Sequence, residues 1–183
     1  MPDIVPVDSE MLERTLDEAV DVFCRVFAGP PHLEDWRSPL ADPVDELLAD
    51  YVEVGVLVYA MVDGRIAGFA ASEPGTSSSC FELARPYLVD PDTSVYLAEL
   101  AVLSAHRGLG LGAALCQELL APLRGRDVFL RVASEATDAQ RVYGRLGFSV
   151  LPDTRSSVYS PRMAGYPEER NDRDERFLMA ARY

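Results

Sequence analysis

The six residues Arg107-Gly108-Leu109-Gly110-Leu111-Gly112 are the part of this chain best suited to hold a phosphate. Glycines let a backbone approach an anion without Cβ clashes. When a helix follows, the unpaired N–H groups of its first turn point at the ligand. The helix dipole adds about 0.3–1 kcal/mol at an exposed site, and the Arg107 guanidinium adds positive charge beside the turn. Two ligand classes use such a turn. Gly108 to Ala113 spells Gly-x-Gly-x-x-Ala, a pattern that binds dinucleotide pyrophosphates, and the acidic Glu135 follows the next strand. The context argues against that ligand. Ser104-Ala105-His106-Arg107 separate the glycines from the strand, and too little chain follows to complete a six-stranded parallel sheet.

The elements that must position this turn can be read from periodicity. Ile4, Val5 and Val7 start a strand, and Ser9 can cap a helix whose face carries Leu12, Leu16, Ala19, Val20, Phe23, Val26 and Phe27. Gly29-Pro30-Pro31 ends it, and a second helix covers 43–51. The β-branched run 54–62 and the run 65–70 flank Asp63-Gly64, a hairpin signal. Residues 73–93 are irregular. Ser94 to Leu103 is the clearest strand, followed by a helix over Leu109 to Leu123, a strand over Val128 to Ala133 and a helix over Thr137 to Leu146. Strands near Phe148 to Leu151 and over Phe177 to Ala181 close the chain, with a charged stretch before the last. Early hairpins and later strand–helix alternation predict an α/β fold, one domain over 1–183, with a mixed, mostly antiparallel central sheet flanked by helices.

Strict alternation along 94–103 places Tyr96, Ala98, Leu100 and Val102 on one face, and Val95, Leu97, Glu99, Ala101 and Leu103 on the other. Glu99 is then a lone carboxylate on an apolar face, which packing does not explain.

With 17 basic against 30 acidic side chains and a net charge of −13, nucleic acid and anionic membranes are poor partners. Cys24, Cys80 and Cys116 are scattered, and only His32 and His106 accompany them, so no structural metal site is expected. No leader segment or membrane-length apolar run is seen, and the chain reads as cytoplasmic.

The stretch Glu99 to Leu115 resembles motif A of the GNAT N-acetyltransferase family, Arg/Gln-x-x-Gly-x-Gly/Ala after a strand, matching at Arg107, Gly110 and Gly112. Ala139-Gln140-Arg141-Val142-Tyr143-Gly144-Arg145-Leu146-Gly147-Phe148 resembles the same family's Ala-x-x-x-Tyr-x-x-x-Gly-Phe ending. The two matches span 94–150. The resemblance implies the acyl-CoA N-acyltransferase fold and acetyl-CoA as co-substrate, transferred to a small-molecule or protein amine. It implies that Gly108, Leu109, Gly110, Leu111 and Gly112, with Arg107, cradle the pyrophosphate. It also implies that Leu100 and Val102 pair with the pantetheine arm, the Leu100 N–H donating to the thioester carbonyl. Tyr143 then matches the family's general acid for the leaving thiolate, the alternative being an aromatic packed on a helix face; Glu99, beside the acetyl position, is the candidate base, the alternatives being that it orients a cationic substrate or reaches solvent at a splayed edge. Ser104 stands where the family often has Pro. Ser134-Glu135-Ala136-Thr137 lacks a frequent Asn, for which Ser134 or Thr137 could substitute.

In such enzymes the acceptor meets the first two helices and their loop, here residues 27–36 with His32 and Trp36; a lone Trp is more often a core plug. The charged stretch Arg162 to Arg176 either lines the acceptor cleft or is solvated. The alternative of a different class is a non-catalytic module that binds acyl-CoA and regulates a partner. The edge of a mixed sheet offers a homodimer contact.

Overall fold

Asp63 and Gly64 both take positive φ, 50° and 75°, the mirror-image turn that suits the right-handed twist of paired strands. Val62 and Arg65 consequently face each other as the first pair of a long hairpin. The computed structural model describes residues 2–29, 34–37, 41–157 and 175–183. Its elements are β1 (Asp3–Pro6), α1 (Ser9–Ala28), α2 (Val44–Val54), β2 (Val56–Val62), β3 (Arg65–Pro74), the one-turn α3 (Phe81–Ala84), β4 (Val95–Val102), α4 (Leu111–Leu120), β5 (Asp127–Ala133), α5 (Thr137–Arg145), β6 (Ser149–Val150), β7 (Ser156–Ser157) and β8 (Glu175–Arg182). The sheet order is β1-β2-β3-β4-β5-β8-β6, with β7 also on β8. Every pairing is antiparallel except β4 with β5. The expected mixed, mostly antiparallel sheet is therefore present.

Helices cover both faces. On one, α1 and α2 bury Phe23, Val26, Phe27, Leu48 and Tyr51 against Leu57, Tyr59 and Phe69. Phe23 is fully buried and stacks on Phe69 at 5.4 Å, with Trp36 edge-on at 4.8 Å. Trp36 is thus the core plug, its indole N–H bonded to Glu34 at 2.7 Å. On the other face, α4 sinks Leu111, Leu115, Cys116 and Leu119 against Val58, Ala70, Leu97, Val128 and Leu130. Removing such side chains from water stabilises by roughly 1.5–3 kcal/mol each, so the two apolar layers hold the sheet from both sides.

Four expectations need correction. The cap of α1 is Asp8, whose carboxylate accepts from the Met11 N–H at 2.8 Å, so Ser9 is the first helical residue. The second helix runs on to Val54. β3 continues to Pro74, so Glu73 lies on a strand, and the stretch after it contains α3 and three single 3-10 turns.

The fourth concerns β4. Ala71 pairs with Glu99 but Ser72 with Leu97, so Ala98 is an extra residue, a β-bulge. Alternation breaks there. Val95, Leu97, Leu100 and Val102 all pack toward α4, whereas Ala98, Ala101 and Leu103 pack toward α1 and α2. Glu99 shares the second group's face, since the Tyr51 hydroxyl reaches it from α2. It does not share a face with Val95 and Leu97.

Candidate active site

The turn after β4 is built for an anion. A 3-10 turn over Ser104–His106 brings the chain to Arg107, whose N–H closes on Ser104 O. Gly108 and Gly110 then take φ of +81° and +80°, a left-handed conformation that an L side chain resists, and Gly110 caps α4. Among the described residues, the amides from Gly108 through Ala113 have no backbone or side-chain partner; the next, Ala114, donates to Gly110 O at 3.1 Å. A concave run of unpaired N–H groups at a helix N-terminus is an anion cradle. Gly112 differs from the other two. A Cβ there would sit 3.9 Å from Leu100 Cδ2, ordinary contact, so only a close ligand would require that glycine.

Beside this cradle the sheet opens. β4 and β5 pair in parallel through Val95–Val128, Tyr96–Phe129 and Leu97–Leu130, and then stop. Leu103 N–H donates to Ala67 O at 2.9 Å, so beyond the bulge the odd-numbered residues of β4 bond β3. The backbone groups of Leu100 and Val102 therefore point into the gap between β4 and β5. Arg107 Nε donates to the Val102 carbonyl at 3.1 Å, joining the gap to the glycine turn. The sequence-predicted residues Leu100, Val102 and 107–112 thus form one continuous line.

Tyr143 and Glu99 approach this line from opposite faces. Tyr143 projects from α5 into the α4 layer, buried, with its ring 5.8 Å from Phe148. Burial holds its pKa well above the ordinary tyrosine value, and the nearby Cys116, Glu99 and Tyr96 push the same way. Its hydroxyl stays protonated at neutral pH. Glu99 faces α2, where the Tyr51 hydroxyl donates to Oε1 at 3.4 Å. Tyr51 is raised by burial first and by Glu99 and Glu73 next, so it too remains a proton donor. The Glu73 carboxyl is raised by burial and by Asp50.

Sequence reasoning missed Tyr51, Glu73 and Arg131. Glu73 was hidden by ending the hairpin strand too early; two-residue spacing from Phe69 and Ala71 was the available signal. Tyr51 comes to Glu99, and Arg131 to the point where β4 and β5 part, only through tertiary packing. His32 lies outside the described residues, as does most of the charged stretch 162–176. A cavity of about 780 Å³ between α1 and the Ser104–His106 turn is lined by Glu13, Asp17 and Asp21 but contains neither Glu99 nor Tyr143.

The family model for the acetyltransferase (GNAT) family matches residues 25–148, more than half of the chain. No curated protein matches the sequence. Similar solved structures include a histone acetyltransferase HPA2 and related acetyltransferase from Corynebacterium glutamicum, at 23% identity over 99% of this chain and 96% of that one, TM-score 0.65. Arabidopsis thaliana NAA60 in complex with acetyl-CoA aligns at 19% identity over the whole of both chains, TM-score 0.65. The yncA protein of Salmonella typhimurium with its cofactor acetyl-CoA aligns at 18% identity over 100% of this chain and 94% of that one, TM-score 0.65.

Proposed function

The chain belongs to the GNAT acetyltransferase family, and on that premise we propose that it transfers the acetyl group of acetyl-CoA to a primary amine by direct attack. The observation that carries this reading is the run of unpaired amides from Gly108 to Ala113 next to the stretch of β4, Leu100 to Val102, that has ceased to pair with β5. The amides of 108–112, with Arg107 beside them, hold the pyrophosphate. The open backbone of Leu100 and Val102 takes the amide-bearing pantetheine arm as a strand takes a neighbour. The Leu100 N–H then donates to the thioester carbonyl and stabilises the oxygen as it gains negative charge.

The amine nitrogen attacks the thioester carbon, the carbon–sulfur bond breaks, and two protons must move. Glu99 takes one from the amine, directly or through water, and Tyr143 delivers one to the departing thiolate. Their approach from opposite faces suits this division, because amine and sulfur lie on different sides of the reacting carbon. Turnover in acetyl-CoA with a panel of amines, followed by free-thiol release, tests the reading. Cofactor binding without thiol release on any amine would favour the regulatory module instead.

A further inference from the structure

We propose that the acceptor is a small zwitterion resembling a free amino acid, and that Arg131 binds its carboxylate while its ammonium group faces Glu99 and Glu73. The proposal rests on the acetyl-transfer reading and adds the substrate class. Arg131 is the first residue of β5 beyond Leu130, the last to pair with β4, so it stands where the two strands part. Val128, Leu130 and Val132 pack toward α4, which turns Phe129 and Arg131 to the other face, the one that carries Glu99 and Tyr51. Where the strands still pair they are about 4.8 Å apart, so the two walls of the cleft are within the span of a small molecule.

The two arginines on this face differ in a telling way. Arg176, across β8, places Nη2 3.3 Å from Glu34 Oε1, and Glu34 is itself buried and fixed by Trp36. Its charge is matched. Arg131, whose Nε like that of Arg176 is buried with no hydrogen-bond partner, forms no ion pair among the described residues. A partly buried guanidinium without an acidic partner is costly, and this chain carries 30 acidic side chains from which one could have come. The opposite wall holds carboxylates instead: Glu99 bonded to Tyr51, and Glu73 on β3, whose charge also reaches Tyr51. A cationic wall facing an anionic wall selects a ligand with both charges, and the guanidinium fork matches a carboxylate.

The test compares free amino acids (one aliphatic, one aromatic and one acidic) with their α-carboxamides and their decarboxylated amines, using acetyl-CoA and thiol release. We expect at least one free amino acid to exceed both of its derivatives by about tenfold or more in kcat/KM, the scale of a hydrogen bond to a charged group. Arg131→Gln should raise KM for that acid and erase the preference while leaving acetyl-CoA affinity intact, and Arg131→Lys should restore part of it. Should Arg131→Gln fail to fold, the wild-type comparison alone decides. Equal rates on acid, amide and amine, a preference that survives Arg131→Gln, or turnover confined to peptides or polyamines would overturn the proposal and leave acetyl transfer standing. No acetyl-CoA binding at all would remove the parent reading, and this one with it.

Discussion

The Tyr51 hydroxyl donates to Glu99 Oε1 at 3.4 Å, which ties α2 to the one carboxylate that the bulge at Ala98 turns toward that helix. Without the extra residue, strict alternation would turn Glu99 to the face that carries Leu97 and α4. The bulge decides which side of the sheet receives the base, and each residue of the proposed site can be probed from that geometry.

Gly110→Asp should abolish acetyl-CoA binding by adding bulk and negative charge at the cradle. Gly110→Ala, forced to φ of +80°, should lose about 1–2 kcal/mol of stability. Gly112→Ala should fold normally, its Cβ having ordinary clearance, yet bind acetyl-CoA more weakly. Thermal shift with and without acetyl-CoA separates these outcomes; full binding by Gly110→Asp would remove the turn from the site.

Tyr143→Phe keeps the buried ring and removes only the hydroxyl. Turnover should fall about 100-fold with acetyl-CoA affinity near normal, the usual scale for one general acid. Because burial raises this hydroxyl, it should not deprotonate below the ordinary value of 10.0. An unchanged rate in the variant would sink the assignment.

Glu73 affects stability through pH. Its folded pKa is raised above the ordinary value of 4.5, so ionisation costs stability as pH rises above that value and through the folded pKa. Glu73→Gln should therefore raise Tm at pH 7, with the gain vanishing below about pH 4.5. A lower Tm at pH 7 would show that the carboxylate is held by partners it prefers charged.

Phe23→Ala should destabilise by about 3–5 kcal/mol in denaturant titration, because a fully buried ring leaves a cavity among Phe27, Trp36 and Phe69. A loss below about 1 kcal/mol would mean that this layer collapses to fill the space.

The glycine turn, α4 and the helix bearing Tyr143 were legible because each is local: a few residues set the backbone, and helical spacing sets the face. The hairpin was legible from Asp63-Gly64 for the same reason. The bulge was not, because Ala98 is surplus only against the register of β3, and no feature within 94–103 announces it. Strict alternation therefore grouped Glu99 rightly with Ala101 and Leu103 but wrongly with Val95 and Leu97. Arg131 stayed invisible for a related reason. Its place where the strands part depends on where β4 and β5 cease to pair, a relation between segments 33 residues apart (Leu97 with Leu130).

The parting of β4 from β5 gives this sheet an edge in its own interior. Edges are hazards, since their open ladders recruit strands from other molecules and seed aggregation. Here the open rungs at Leu100 and Val102 are flanked by β3 on one side and β5 on the other, with α4 below. A foreign strand would need to thread a slot closed at Leu97–Leu130. A single slender chain carrying its own amides, unattached to any sheet, meets no such obstacle. The fold thus keeps the adhesive property of an edge while admitting only a thread.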